Sequence, residues 1–356
     1  MKTLRLIVNP SQLASPAAAE ALDRAAQILR AGGLVALPTE TVYGLGANAL
    51  DSRAVASIFV AKNRPSWDPV IVHIAPCEKI DSMLDGLVEE IPDAARKLIQ
   101  AYWPGPLTLL LPRSRAVPDA VTAGRPLVGI RMPAHPVALE LIRRAGLPIA
   151  APSANLFAHT SPTTAAHVLD DLDGRIAAVL DAGPTGYGVE STVLDPAQSP
   201  MVIYRPGAVT ADQIREVAGA VEVFRGHAAP AGKPLPSPGV GLRHYAPHAR
   251  LVIVDALLTE LPARLGEAAA EWSGERIGVM LPEGIATPPS LANAHIYPWG
   301  RWDSPGDMAH ALYAGLRALD AEGCTVILCP LPPENGIGAA IRDRLGKASR
   351  GKDQRY

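Results

Sequence analysis

Short aliphatic runs alternate with amphipathic stretches over the first 225 residues, at spacings that predict strands and helices in layers. Leu22, Ala26 and Leu29 keep one apolar face along Ala17 to Arg30. Ser15 and Pro16 cap and start that predicted helix, and Gly32-Gly33 stops it. The run Leu34 to Leu37 then predicts a strand, Ala54 to Ala61 a helix, and Val70 to Ile74 another strand. Further helices are expected over Ile91 to Tyr102, Pro136 to Ala145 and Thr163 to Leu169. Further strands are expected over Leu107 to Leu111, Leu127 to Arg131 and Ile149 to Ala150, then over Ala178 to Leu180, Thr192 to Asp195 and Met201 to Tyr204.

The pattern breaks at residues 226 to 250. Gly226, Pro230, Gly232, Pro234, Pro236, Pro238, Gly239 and Gly241 predict an irregular connector there. Periodicity returns with expected strands at Leu251 to Val254, Arg276 to Met280 and Thr325 to Leu328. Between and after them, Leu261 to Glu271, Pro305 to Asp320 and Gly338 to Leu345 read as helices. That β-α-β-α-β-α order predicts a small parallel, Rossmann-like sheet. No G-x-G-x-x-G turn follows its first strand, so nothing marks a dinucleotide site. The expected division is a larger domain at 1–225, a connector at 226–250 and a smaller α/β domain at 251–356.

Composition agrees with two cores: 356 residues exceed one ordinary domain, and hydrophobic residues make up 48%. Aromatics are only 4%, so aliphatic side chains and alanine must fill those cores. A net charge of −2 argues against a chain that coats nucleic acid by bulk electrostatics. Cys77, Cys324 and Cys329 form no disulfide framework and suit a reducing compartment; the last two flank a run that reads as a buried strand. The start of the chain breaks at Asn9-Pro10 before any signal-peptide core, and no apolar run has membrane-spanning length. A soluble, cytoplasmic protein is expected.

Candidate chemistry concentrates after the strand at Leu34 to Leu37. Pro38-Thr39-Glu40-Thr41-Val42-Tyr43-Gly44-Leu45-Gly46 reads as a turn rich in hydroxyls and glycines. The helix that follows ends in Ala61-Lys62-Asn63-Arg64-Pro65, which presents two cations. A P-loop is excluded, because Gly232-Lys233 and Gly346-Lys347 lack its upstream glycine and its Ser/Thr. Lys62 and Arg64 therefore read either as side-chain clamps for phosphate, a point charge and a planar fork, or as a solvated helix end.

Ala151-Pro152-Ser153-Ala154-Asn155 leaves another strand, and its small polar residues are either a ligand approach or an ordinary turn. Ser161-Pro162-Thr163 reads as a helix start with an anion-binding hydroxyl. Arg131 ends an apolar strand and must meet an anion, an internal carboxylate or a substrate's. Gly188-Val189-Glu190-Ser191-Thr192 opens a strand, and Arg205-Pro206-Gly207 ends the next. His73 is a core histidine or a site residue. No nucleophile elbow and no metal-ligand spacing occurs, so a nucleophile would come from a substrate.

Taken in order, these blocks resemble the YrdC family, in the long two-domain form of threonylcarbamoyl-adenylate synthases. The blocks are Pro38 to Gly46, Lys62 to Pro65, Trp103-Pro104-Gly105-Pro106-Leu107-Thr108, Arg131-Met132-Pro133 and Pro152 to Asn155. Ser161 to Thr163, Glu190 to Thr192 and Arg205 to Gly207 complete the set. Ser237-Pro238-Gly239 with His244-Tyr245-Ala246-Pro247 resembles the long form's linker, and the last hundred or so residues fit its smaller domain.

The resemblance implies a twisted mixed-sheet domain with a concave site, a linker that closes over it, and a smaller Rossmann-like domain. It implies conversion of L-threonine, bicarbonate and ATP into threonylcarbamoyl-AMP, diphosphate and water, with Mg²⁺ assisting. Lys62 and Arg64 match its catalytic, phosphate-binding pair. Asp68, Ser153, Asn155, Ser161, Arg205 and Tyr245 match further ATP positions; Thr41, His73, Arg131, Ala151 and Ser191 match threonine positions. The family usually has asparagine where Asp68 stands, which leaves that residue's role open: it repels triphosphate, holds Mg²⁺ or points away. The product would pass to the transferase machinery that modifies tRNAs reading codons that start with A, and direct tRNA contact is a lesser expectation. Two rival readings are a carbamoyl-transfer protein of hydrogenase maturation, whose zinc motifs are missing here, and an RNA-binding module, which the balanced charge disfavours.

Overall fold

The structure is a computed structural model that describes residues 2–76, 79–225, 237, 239–240 and 244–350. Most of the expected connector, and Cys77, lie outside the described residues. By compactness the chain forms two units. The first comprises Met1–Phe157, Ser161–Gly186 and Glu190–Gly241; the second comprises Ala158–Thr160, Tyr187–Val189 and Leu242–Tyr356.

The first unit is built on one mixed sheet. Its strands are β1 (Leu4–Ile7), β2 (Val35–Leu37), β3 (Gly44–Asn48), β4 (Ile71–His73), β5 (Leu107–Pro112) and β6 (Leu127–Arg131). They continue as β7 (Ile149–Ala150), β8 (Ala178–Asp181), β9 (Thr192–Asp195), β10 (Met201–Arg205) and β11 (Val221–Val223). Across the sheet they run β1-β8-β2-β3-β7-β4-β6-β5-β9-β10-β11. Helices α1 (Pro16–Arg30), α2 (Ser52–Lys62), α3 (Ile80–Leu84) and α4 (Asp93–Tyr102) are followed by α5 (Asp119–Thr122), α6 (Pro136–Ala145), α7 (Ala165–Leu172) and α8 (Ala211–Ala218).

Alternation along the strands divides the core between the two faces. Val35 and Leu37 pack with Leu22 and Leu29 of α1 and Leu141 of α6. Ala36, between them, joins Val55 and Ile58 of α2, Leu98 of α4 and Val168 of α7 on the other side. The helices obey their sequence signals: the Ser15 side chain accepts from the Ala18 N–H, and Asp51 caps α2 by accepting from Arg53 and Ala54.

Two local expectations are corrected. The segment Pro38 to Gly46 is only partly a turn, because Gly44 begins β3, antiparallel to both β2 and β7. A Cβ on Gly46 would lie 2.9 Å from both Ile149 and Leu37, so β2 and β7 close around a glycine. The helix expected from Thr163 starts instead at Ala165, because Thr164 is the N-cap, its side chain accepting from His167 N–H. Ser161 therefore stands outside that helix.

The second unit has β12 (Arg250–Val254), β13 (Ile277–Glu283), β14 (His295–Arg301) and β15 (Val326–Pro330), in the order β12-β15-β13-β14 with every pairing parallel. It is Rossmann-like as expected, with one more strand, β14. Helices α9 (Leu261–Glu271), α10 (Pro305–Ala321) and α11 (Gly338–Ala348) complete it. Cys324, two residues before β15, and Cys329, within it, are both buried, as expected of structural thiols. Tyr245 belongs to this unit, 1% exposed and at φ 64°, with the Arg344 guanidinium 5.0 Å from its ring and Tyr313 stacked at 6.0 Å.

Candidate active site

The first unit gathers its polar residues where β2, β4, β6, β7 and α2 end. His73 is the last residue of β4 and Arg131 the last of β6; the strands are parallel, and the register sets the two residues side by side. On the other flank of β4, His73 pairs with Ile149 of the antiparallel β7. The chain leaving β7 is fastened to neighbouring strands, with Ala151 N–H donating to Ile71 O at 2.8 Å, Leu45 N–H to Pro152 O at 2.7 Å and Ala154 N–H to Tyr43 O at 2.8 Å. A Cβ on Gly44 would sit 3.2 Å from that of Ala151, which keeps this approach close.

Lys62 ends α2 and is 1% exposed, so the solvated helix end is not what forms. Its ammonium donates to Ser153 O at 2.5 Å and to Asn155 O. Asn63 turns the chain through the left-handed region, φ 52°, and delivers Arg64 to the same region of the fold. Arg64 donates to Pro69 O at 2.7 Å and pairs with Asp68 at 3.0 Å. Asp68 is 1% exposed, and burial pushes its carboxyl up while Arg64, Lys62 and Arg205 pull it down. Its Oδ1 has no hydrogen-bond partner among the described residues. Arg64 thus touches this buried carboxylate, and the charges of Lys62 and Arg205 act on it as well.

A second cluster forms around Arg131. Its Nη1 donates to Thr41 Oγ1 at 3.0 Å, its Nε to Gly105 O at 3.2 Å, and its Nη2 lies 2.6 Å from Glu40 Oε1. The anion that the apolar strand required is, in this state, an internal carboxylate. His73 is held neutral: burial first and the Arg131 charge second bring its pKa down to about 3. Arg205 also acts on both His73 and Asp68, so the two clusters share one field.

Arg205 closes the far side. Its Nε donates to Ser191 O and its Nη2 to Ser191 Oγ, both at 3.1 Å, while Ser191 Oγ lies 2.8 Å from Thr108 Oγ1. Gly207 lets the chain pass, since a Cβ there would fall 2.2 Å from Thr192 N. Ser161 Oγ donates to the buried Glu190 carboxylate at 2.5 Å. Glu40, Thr108 and Glu190 were given no role from sequence; only the demand of Arg131 for an anion pointed toward Glu40. Among the described residues no helix is long and apolar enough to cross a membrane, and no group of three or more His, Cys, Asp and Glu side chains could hold a metal ion.

Comparison with known proteins adds a lineage. Residues 27–207 match the family model of Sua5, YciO and YrdC proteins, described as Telomere recombination. Residues 209–350 match the model described as Threonylcarbamoyl-AMP synthase, C-terminal domain. The Threonylcarbamoyl-AMP synthase of Bacillus subtilis is 44% identical over 355 residues, 99% of each chain. That of Pyrococcus abyssi is 43% identical over 330 residues, covering 91% of this chain and 93% of its own. The crystal structure of P. abyssi Sua5 complexed with L-threonine superposes with a TM-score of 0.88 at 39% identity, over 98% of both chains.

Proposed function

Because the chain belongs to the Sua5, YciO and YrdC family, in its two-domain form, we infer that it makes threonylcarbamoyl-AMP and diphosphate from L-threonine, bicarbonate and ATP. It is an adenylyl-transferring enzyme whose product feeds threonylcarbamoyladenosine formation at position 37 of tRNAs reading codons that start with A. The observation that carries the reading onto this site is the buried Arg64–Asp68 pair in the field of Lys62 and Arg205, a field that Arg205 extends to His73 next to Arg131. Such a cradle suits a triphosphate, and the neighbouring cation suits an amino-acid carboxylate.

The threonine amine and bicarbonate give a carbamate and water, and the carbamate oxygen then displaces diphosphate from the α-phosphorus. Negative charge builds on that phosphorus and on the departing oxygens, so fixed cations lower the barrier. Arg64 and Arg205 would meet phosphate oxygens; Lys62, through the carbonyls it holds, would set the nucleotide-side loop of Ser153 and Asn155. Ser161 would position that loop's neighbour through Glu190. Thr41, His73, Arg131, Ala151 and Ser191 would receive threonine, with His73 serving as a neutral hydrogen-bonding group. Tyr245 is proposed as a nucleotide contact on the strength of the family resemblance alone.

A magnesium ion binds with one or two carboxylates plus substrate phosphates, and the Oδ1 of Asp68 fits that requirement. When bound it would neutralise charge on the phosphates. Buried thiols at Cys324 and Cys329 support a cytoplasmic setting, and the product would be handed to a tRNA-modifying transferase. The test is direct: purified protein with ATP, threonine, bicarbonate and Mg²⁺ releases diphosphate only when all three substrates are present. Release at background level would sink the assignment.

A further inference from the structure

Glu40 follows Thr39 in the chain that joins β2 to β3, and its side chain is 12% exposed beside Arg131 at 4%. The charges touch at 2.6 Å, yet neither Glu40 oxygen accepts a hydrogen bond of proper geometry among the described residues, and Arg131 Nη2 donates none. Both carboxylate oxygens are shielded from solvent. Buried oxygens of this kind normally accept hydrogen bonds, because charge contact alone offsets only part of their lost hydration.

The remainder of the guanidinium is already engaged by Thr41 and Gly105. What is left at this contact is the Nη2 group with its two N–H donors, beside two acceptor oxygens. An α-amino acid carries the complement on a single carbon: a carboxylate to accept and a nitrogen to donate. A simple counterion would need no such geometry. His135, at the N-cap of α6, also feels the Glu40 charge.

We propose that Glu40 is the amine-reading residue of the site, accepting an N–H of the threonine α-amino group while Arg131 takes the α-carboxylate. The proposal rests on the reading of the chain as a threonine-using enzyme and adds a selectivity to it. A 2-hydroxy acid of the same skeleton offers one O–H donor and no positive charge, so Glu40 would reject it.

Calorimetric titration of the full chain with L-threonine and with 2,3-dihydroxybutanoate tests this, in wild type, Glu40→Gln and Glu40→Asp. The wild type is expected to prefer threonine by about tenfold or more, the usual scale of a hydrogen bond to a charged group. Glu40→Gln should weaken threonine binding by a similar factor and bring the two ligands level; Glu40→Asp should retain part of the preference. Tighter threonine binding in Glu40→Gln with the preference intact would make Glu40 a counterion only and overturn the proposal. If Glu40→Gln does not fold, a wild type that binds both ligands equally, or a Glu40→Asp variant with undiminished preference and affinity, overturns it as well. A wild type that binds no threonine at all removes the functional reading itself, a different failure.

Discussion

His73 and Arg131 stand side by side at the ends of two parallel strands, and burial together with that cation keeps the imidazole neutral down to about pH 3. The unfolded chain's histidine titrates near 6.5, so below that pH the unfolded state takes up a proton that the folded state refuses. Stability contributed by this difference is therefore present above pH 6.5 and is lost as pH falls toward 3. Denaturant titrations at pH 7.5 and pH 5 should show His73→Gln losing less stability across the interval than the wild type. Parallel losses would mean that His73 is not held neutral.

Lys62 does two jobs that separate variants can distinguish. Removing its ammonium leaves the buried carbonyls of Ser153 and Asn155 without their donor. Lys62→Met is expected to cost about 2–4 kcal/mol of folding stability, besides weakening ATP binding. An unchanged denaturation midpoint would show that these carbonyls find other donors.

Asp68 separates differently. With its Oδ1 lacking a hydrogen-bond partner among the described residues, the carboxylate has an oxygen to offer a divalent ion that the phosphates also hold. Asp68→Asn should raise the Mg²⁺ concentration for half-maximal diphosphate release several-fold, with little change in threonine affinity. An unchanged Mg²⁺ requirement would assign Asp68 to holding Arg64 and nothing more.

Gly207 tests the far wall. An added methyl would meet Thr192 N at 2.2 Å and the Glu190 carbonyl at 2.7 Å, backbone atoms that cannot rotate away. Gly207→Ala should destabilise the chain by about 1–3 kcal/mol or more, and should raise the KM for threonine through displacement of Ser191. A stable variant with ordinary kinetics would show that this loop shifts at no cost.

Legibility in the sequence followed how local each signal was. α1 could be read because Ser15, Pro16 and Gly32 act within their own neighbourhood. β3 could not, because Gly44–Asn48 is buried nearly throughout and has no alternation; its strand character comes from β2 and β7 pressing on Gly46. Ser161, Thr163 and Thr164 all precede α7, and sequence favoured the start at Ser161-Pro162-Thr163, whereas it is Thr164 that reaches the His167 N–H. The need of Arg131 for an anion was plain from its place in an apolar strand. Which carboxylate answers it was not, since Glu40 is 91 positions away and only the sheet order brings it near. β14 was missed for a related reason: apart from the buried Trp299, His295–Arg301 is exposed or half-buried at the sheet's edge, with Pro298 in its midst.

The bonds from Lys62 to the carbonyls of Ser153 and Asn155 have a consequence for anyone who would transplant or redesign this site. They tie together stretches 91 and 93 positions apart, through backbone atoms that no side-chain choice at 153 or 155 can alter. The end of α2 and the chain leaving β7 are therefore one portable part, to be moved whole or left alone. Residues 62–64 grafted without 151–155 would bring the Lys62 ammonium and leave behind the carbonyls it bonds.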